Sequence, residues 1–151
     1  MGLTHVNDKG EANMVDISLK RIVHREAEAK GKIFLESETL KLIRENMISK
    51  GDVLSVARIA GISGAKATSS LIPLSHNIVI NNINIDFVIE EDGILIRSKA
   101  VCDGKTGIEM EALTAVSVSA LTIYDMCKAV DKNMVISNIK LEEKRKSELH
   151  Y

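Results

Sequence analysis

The stretch Ile83–Cys102, which reads INIDFVIEEDGILIRSKAVC, predicts a β-hairpin and decides the fold. Apolar side chains alternate with polar ones on both sides of Asp92-Gly93, which is the period of a strand that buries one face. An Asp-Gly pair between two such runs is a typical hairpin turn. Because an isolated hairpin is only marginally stable in water, a further strand must join it.

Two segments are candidates for the strand that joins the hairpin. The better one is residues 133–141, NMVISNIKL, near the C-terminus. The second is the charged segment Arg21–Leu35, which fits an exposed strand or a helix, and its Val and Ile residues near each end favour a strand. The hairpin is therefore expected to lie in a larger sheet.

Helices are predicted on both sides of the hairpin in the sequence. Ser37 is placed to cap an amphipathic helix over residues 38–46, and Asp52 to cap a small-residue helix over residues 53–72, which a proline ends. After the hairpin, Ala112–Val130 is apolar nearly all round, so this helix must be covered on several sides. Helices that cover one face of an antiparallel sheet make an α+β sandwich.

The composition is that of an ordinary globular protein and argues against two classes of partner. Its 151 residues fit a single domain, 1–151, in which residues 1–20 are expected to form a flexible arm and 143–151 a tail. Aromatic residues are only 3% of the chain, so the stacking platforms of single-strand nucleic-acid binders are almost absent. No apolar run is long enough to span a bilayer and no signal pattern is present, which predicts a cytoplasmic protein.

Cysteine and histidine positions predict no metal site and no cofactor. Cys102 and Cys127 lie in apolar surroundings at no metal-ligand or redox spacing, so both are expected to be reduced, structural thiols. His76 follows the proline and precedes an apolar run, and the other three histidines form no ligand spacing with it. Either it is an ordinary surface or core histidine, or it transfers protons, for which histidine is well suited near neutral pH.

Ionisable groups stand at both ends of the apolar helix. Asp125 and Lys128 are three residues apart, so they share one helix face and form either a solvated ion pair or part of a site. Glu111 stands at the other end, about 21 Å from Asp125 in a continuous helix. One small substrate cannot reach both ends within one chain. The ends therefore belong either to different sites or to a pocket that two subunits share.

Two further features bear on these alternatives. The small residues of the 53–72 helix, such as Gly61 and Gly64, allow close packing against another helix or another subunit, and so favour the shared pocket. Lys50 stands just before that helix, whose N-terminal N–H groups favour anions. Residues 103–107, DGKTG, lack the spacing of a nucleotide P-loop. From the residues alone, the chain is an α+β domain that binds an anionic small molecule.

Five segments taken in order resemble one enzyme family. The block TGIEMEALTA, followed by LTIYDMCKA, is its most specific part, and the resemblance extends from about Leu3 to Leu141. The chain thereby resembles the cyclic pyranopterin monophosphate synthases, the molybdenum cofactor biosynthesis protein C family. The segments are LTHVNDKGEANMVDIS (3–18), KGDVLSVARIAGISGAK (50–66), LIPLSH (71–76), KTGIEMEALTAVSVSALTIYDMCKAV (105–130) and MVI (134–136).

The resemblance implies a lyase with a ferredoxin-like antiparallel sheet covered by helices. Its substrate would be 3',8-cyclo-7,8-dihydroguanosine 5'-triphosphate, made by a radical S-adenosylmethionine enzyme, and its products cyclic pyranopterin monophosphate and diphosphate. The family further implies a hexamer of dimers with active sites at a dimer interface, and no nucleic acid or membrane partner. The alternatives are a non-catalytic module that binds a phosphorylated small molecule and, less favoured because aromatics are missing, an RNA-binding sheet.

The resemblance also assigns roles to particular residues. It implies Asp125 as the catalytic aspartate, assigned as the base, and Lys128 as the acid or a phosphate clamp, with the reverse assignment left open. Lys50 is the second essential lysine, and His76 is a further proton-transfer group. Arg25 matches an arginine suited to phosphate. The segments that contact substrate are implied to be Leu74, Ser75 and His76, and Glu109, Met110 and Glu111.

The chain departs from the family pattern in two places. It has LSH where many members have LCH, so Ser75 supplies no thiol at that position. The usual Gly-rich, basic C-terminal tail is replaced by residues 142–151, EEKRKSELHY.

Overall fold

The computed structural model describes residues 5–150; residues 1–4 of the predicted arm and residue 151 of the predicted tail lie outside this range. Four strands and four helices lie within this range. They are β1 (Val23–Phe34), α1 (Ser37–Arg44), α2 (Val53–Lys66), α3 (Thr68–Leu71), β2 (Asn82–Ile89), β3 (Gly93–Gly104), α4 (Glu109–Cys127) and β4 (Val135–Ser147).

The strands form one antiparallel sheet in the order β2-β3-β1-β4. Two β-helix-β units in succession, with the two halves interleaved in the sheet, are the ferredoxin-like arrangement. The α4 helix packs on β1, β3 and β4, and α2 packs on α4 and β2, so the helices lie on one face. The predicted α+β, ferredoxin-like fold is confirmed.

The strand next to the hairpin is β1, and the prediction that the C-terminal segment joins the hairpin is wrong. β4 lies at the sheet edge and pairs only with β1 among the described strands. β1 buries the small residues Ala27, Ala29 and Gly31 under α4, where a Cβ at position 31 would come within 2.8 Å of Val116. A central strand usually carries large apolar residues on its buried face. At these positions β1 does not, because α4 packs too closely against it.

The hairpin is confirmed, but its turn differs from the predicted Asp92-Gly93 turn. Ile89 pairs with Ile94, and the Glu90 N–H bonds the Gly93 carbonyl, so the connection is residues 90–92 and Gly93 begins β3. Gly93 does not have a positive φ. A Cβ there would overlap the Ile33 carbonyl of the neighbouring β1, so close strand approach explains this glycine.

Small residues bring α2 and α4 together within one chain. A Cβ at Gly61 would overlap the Ser119 hydroxyl and lie 2.9 Å from the Ala115 carbonyl oxygen, and one at Gly64 would lie 2.7 Å from Val118. The use of these residues as a sign of a subunit contact is therefore wrong. They serve the packing of α2 on the apolar middle of α4.

The helix caps agree with the sequence in one case and differ in the other. Asp52 caps α2 as predicted, because its carboxylate accepts a hydrogen bond from the Ser55 N–H at 3.1 Å. Ser37 does not cap α1; Glu36 is the N-cap residue. Buried Asp131 accepts bonds from the Glu36 N–H at 2.9 Å and the Thr39 hydroxyl at 3.0 Å, so a residue from after α4 secures this helix start. The predicted 53–72 helix is divided into α2 and α3.

The chain ends differ from the predicted arm and tail. Residues 13–22 form no helix or strand, and two side chains hold them: His76 bonds the Val15 carbonyl and Lys105 the Ser18 carbonyl. β4 continues to Ser147, so the first part of the predicted tail is strand. None of the helices among residues 5–150 is long and apolar enough to cross a membrane.

Candidate active site

The C-terminal end of α4 carries a cluster of one carboxylate and two ammonium groups. Asp125 Oδ1 lies 2.7 Å from Lys128 Nζ, and its Oδ2 lies 2.9 Å from Lys50 Nζ, which also donates to the Asp125 carbonyl at 3.1 Å. Lys50 precedes Gly51, whose φ of +106° turns the chain into α2. The structure thus brings Lys50 to Asp125, which is 75 positions away in the sequence.

The two lysines fix the charge state of this cluster. Bonds from Lys128 and then from Lys50 lower the pKa of Asp125 to about 2, and the same contact raises the pKa of Lys128. At neutral pH the cluster is one carboxylate between two ammonium groups. Its three side chains are 45% to 58% exposed, so the cluster faces solvent in the single chain.

The N-terminal end of α4 carries two adjacent cavities. The first, of about 290 Å³, is lined by Leu74, Ser75 and His76 from the segment after α3 and by Glu109 and Met110 of α4. His76 Nε2 donates to the Val15 carbonyl at 2.7 Å, which fixes the ring against the N-terminal segment. Five of the six predicted substrate-contact positions on these two segments therefore line one cavity.

The second cavity, of about 260 Å³, lies between β1, β4 and the start of α4. Arg25 lines it, and its guanidinium donates to the carbonyls of Gly104 at 3.0 Å and Lys105 at 3.3 Å. Lys144 and Lys146 of β4 line the same cavity. These two lysines fall in the predicted tail. The sequence pattern predicts a strand only as far as residue 141, whereas β4 continues to Ser147 and its pairing with β1 brings both lysines to the site.

Glu111 is the one predicted substrate contact that lines neither cavity. Its side chain is 3% exposed, and within residues 5–150 its Oε2 atom is buried without a hydrogen-bond partner. Burial raises the pKa of this carboxyl. Burial therefore favours the protonated form of the Glu111 carboxyl more than that of an exposed glutamate.

The family comparison covers nearly the whole chain. The model of the MoaC family matches residues 14–147. The chain belongs to the MoaC family. It is 54% identical over 144 residues to the cyclic pyranopterin monophosphate synthase of Heliobacterium modesticaldum, which covers 94% of this chain and 91% of the relative.

Two further relatives show a similar degree of identity. The cyclic pyranopterin monophosphate synthase of Peptoclostridium acidaminophilum is 56% identical over 144 residues, or 95% of this chain and 92% of the relative. That of Clostridium acetobutylicum is 57% identical over 143 residues, or 93% of this chain and 89% of the relative. The matches span nearly whole chains, so they concern the entire fold described above.

This member of the MoaC family has no exposed thiol at its cavities among the described residues. Ser75 lines the first cavity, and its N–H bonds the Ile72 carbonyl at 3.1 Å. Cys102 and Cys127 are buried, and burial raises the pKa of each thiol to about 11, so both are inert at neutral pH. Residues 5–150 contain no group of three or more His, Cys, Asp or Glu side chains that could hold a metal ion.

Proposed function

We propose that the groups at the two ends of α4 are halves of one active site, which is completed when two subunits meet. The activity follows from the family: the chain is a lyase that synthesises cyclic pyranopterin monophosphate in molybdenum cofactor biosynthesis. Because the chain is 54% to 57% identical to the cyclic pyranopterin monophosphate synthases described above, we set aside the alternative of a non-catalytic module.

The length of α4 is the observation that carries the shared site. The helix is continuous from Glu109 to Cys127, so Met110 and Asp125 are about 22 Å apart along its axis. Groups that transfer protons must lie within ~3 Å of the reacting atoms. Both ends of α4 in one chain therefore cannot act on the same bond, whereas one end from each of two chains can.

Exposed apolar side chains beside the cluster support a covering subunit. Leu121 is 60% exposed and lies one turn before Asp125, and Tyr124 is 39% exposed and lies one turn before Lys128. Exposed apolar groups that rim a charged site commonly mark an interface. A second subunit seated there would also remove water from the cluster and strengthen its electrostatic effects.

The proposed substrate is the cyclised guanosine triphosphate that the family resemblance implies. A sugar hydroxyl attacks the α-phosphorus, the bond from this phosphorus to the bridging oxygen breaks, and diphosphate leaves with the bonding electrons. Fixed cations stabilise the charge that develops on the phosphate oxygens. Lys50 and Lys128 are such cations, because Asp125 holds both ammonium groups at one point.

The charge state of the cluster suggests the order in which its residues act. A carboxylate with a pKa of about 2 is a weak base. We infer that substrate phosphate first draws a lysine away from Asp125, which raises the pKa of the carboxylate and prepares it to accept a proton. Lys128, whose pKa is raised, stays protonated and serves as clamp or acid. His76 and Glu111 from the other subunit are then the remaining proton-transfer groups.

The assembly, the supplier of the substrate and the location of the chain follow from the same resemblance. We propose a homohexamer that is assembled from dimers, in which each dimer interface holds the shared sites. We propose that a radical S-adenosylmethionine enzyme supplies the substrate, as the family resemblance implies. A cytoplasmic location completes the proposal, and size-exclusion chromatography with light scattering measures the assembly.

Complementation between two inactive variants tests the shared site. Lys128→Ala removes the C-terminal half of the site, and His76→Ala removes the N-terminal half. When the two chains are co-expressed, each mixed dimer regains one intact site, so diphosphate release should recover to about a quarter of the unsubstituted rate.

The matched control is co-expression of Lys50→Ala with Lys128→Ala. These substitutions damage the same half, so mixed dimers contain no intact site and should stay inactive. Activity in the control but not in the first mixture would contradict sharing. A first mixture that stays inactive, although mixed dimers are isolated by two affinity tags, would also contradict it.

A further inference from the structure

The Glu109 side chain separates the two cavities at the start of α4. Glu109 and Gly107 line both cavities. A Cβ at Gly107 would overlap the Glu109 carboxylate, so this carboxylate lies directly over the glycine. The two cavities are therefore neighbours, and Glu109 is the residue with a side chain that lines both of them.

An ion pair from the sheet edge holds Glu109 in this position. Lys144 Nζ lies 3.1 Å from Glu109 Oε1. The lysine is 66% exposed and the glutamate 26% exposed, and such exposed pairs are weak because water and salt compete for both partners. The ion pair between Lys144 and Glu109 is therefore easily exchanged for a stronger contact of Lys144 with a ligand anion.

The cavity on the Lys144 side has the chemistry of a phosphate site. Lys144 and Lys146 face it from β4, where Lys146 is the cross-strand partner of Arg25. Arg25 has five N–H donors, and the two bonds it makes to main-chain carbonyls hold its guanidinium in place. A fixed arginine flanked by lysines suits a group with several phosphate oxygens.

The combined volume of the two cavities suits a small-molecule ligand better than either cavity alone. At about 260 and 290 Å³, each lies below the ~300–1,000 Å³ that small-molecule sites usually have. The two together fall within that range. His76 and Met110 line the cavity on the other side of Glu109, which has no arginine or lysine among its lining residues.

We propose that the diphosphate end of the substrate binds in the Arg25 cavity and takes Lys144 away from Glu109, so that Glu109 swings aside and the two cavities join. The phosphates then contact Arg25 and Lys144, and the fused ring system lies toward His76. This orientation rests on the proposed function, because it assumes a substrate with a polyphosphate end. Lys144 holds the site divided in the free chain and binds phosphate in the complex.

Inorganic diphosphate, titrated into the full chain by calorimetry, tests the exchange. Lys144→Gln should weaken diphosphate binding about tenfold, since it removes one charge-assisted contact. Glu109→Gln should strengthen it about threefold, because Lys144 no longer has a competing partner. Lys140→Gln, on the same strand but outside this cavity, is the matched control and should change binding less than about twofold.

The opposite signs separate an exchange from a structural ion pair. If Glu109→Gln weakens binding as Lys144→Gln does, the pair only frames the cavity and the exchange is overturned. Equal affinity of Lys144→Gln and the unsubstituted chain would place diphosphate elsewhere and overturn it too. Thermal unfolding of each variant verifies the fold. The titration needs no turnover, so a chain that shows the opposite signs but releases no diphosphate would contradict the proposed function and leave the exchange standing.

Discussion

The two ends of α4 differ in how their charges are satisfied. At the C-terminal end, the Asp125 carboxylate is paired on both oxygens, and the cluster stands in the open. At the N-terminal end, Glu111 is buried with an unpartnered oxygen among the described residues, and the surrounding side chains form cavities. The C-terminal end has fixed cations but no cavity among those described above, and the N-terminal end has two cavities and a buried carboxyl.

This difference explains why a rigid helix is a useful support for such a site. The apolar middle of α4 packs against β1 and against the glycines of α2, so the distance between its ends is constant. A subunit that presents one end to its partner then places cations over cavities with little reorganisation, which is the main requirement of electrostatic catalysis. The comparison yields three predictions, one for each end of the helix and one for its middle.

The largest expected effect is at the C-terminal end. Lys50→Ala and Lys128→Ala should each lower the rate of diphosphate release by about 10³-fold or more, because each removes a cation held at the reacting phosphate. Lys41→Ala, at an exposed position of α1, is the matched control and should leave the rate unchanged. A rate near that of the unsubstituted chain in either site variant would remove this end from the catalytic site.

The middle of the helix should respond in stability. Gly61→Ala adds a methyl group that overlaps the Ser119 hydroxyl and lies 2.9 Å from the Ala115 carbonyl oxygen, so α2 must move away from α4. We expect a loss of about 2 kcal/mol in the free energy of unfolding, measured with urea. Ser63→Ala, exposed on the same helix, should change it by no more than about 0.5 kcal/mol. An unchanged Gly61→Ala chain would mean that α2 does not fix the distance between the ends.

The fold could be predicted where one physical cause dominates the pattern. The hairpin alternates apolar and polar residues because one face is buried, and α4 is apolar because other elements surround it. The order of the strands was missed because β1 buries alanine and glycine under a closely packed helix. The predicted Ser37 cap is wrong because the group that accepts the hydrogen bond from the Glu36 N–H at the start of α1 belongs to Asp131, which is distant in sequence. Contacts of this kind have no local signal.

The candidate site divides in the same way. Spacing along α4 correctly predicts that Asp125 and Lys128 touch, since residues three apart share a helix face. Helical spacing does not predict the contact of Lys50 with Asp125, which depends on the packing of α2. It also does not predict the contact of Lys144 with Glu109, which depends on strand pairing. The family resemblance supplied the first of these two residues. Lys144 is identified only by the structure, because its position looks like part of a charged tail.

The smallest effect concerns the buried carboxyl at the N-terminal end. Because the pKa of Glu111 in the folded chain is raised above its ordinary value of 4.5, this group stabilises the fold fully below pH 4.5, and that stability is lost as pH rises through the folded-state pKa. Glu111→Gln keeps the uncharged form at every pH. It should therefore match the unsubstituted chain at pH 4 and be about 1 kcal/mol more stable at pH 7.

Urea unfolding at pH 4, 5.5 and 7 measures this difference, and Glu109→Gln is the control because its carboxylate is paired with Lys144 and should gain nothing at pH 7. Asp125 is present in both chains, so its contribution cancels in the comparison. That contribution is present above its ordinary pKa of 3.8 and is lost as pH falls from there through about 2. If Glu111→Gln is instead less stable at pH 7 than at pH 4, relative to the unsubstituted chain, the carboxyl is ionised and paired. The two ends of α4 would then resemble each other, and the N-terminal end would have no proton to give.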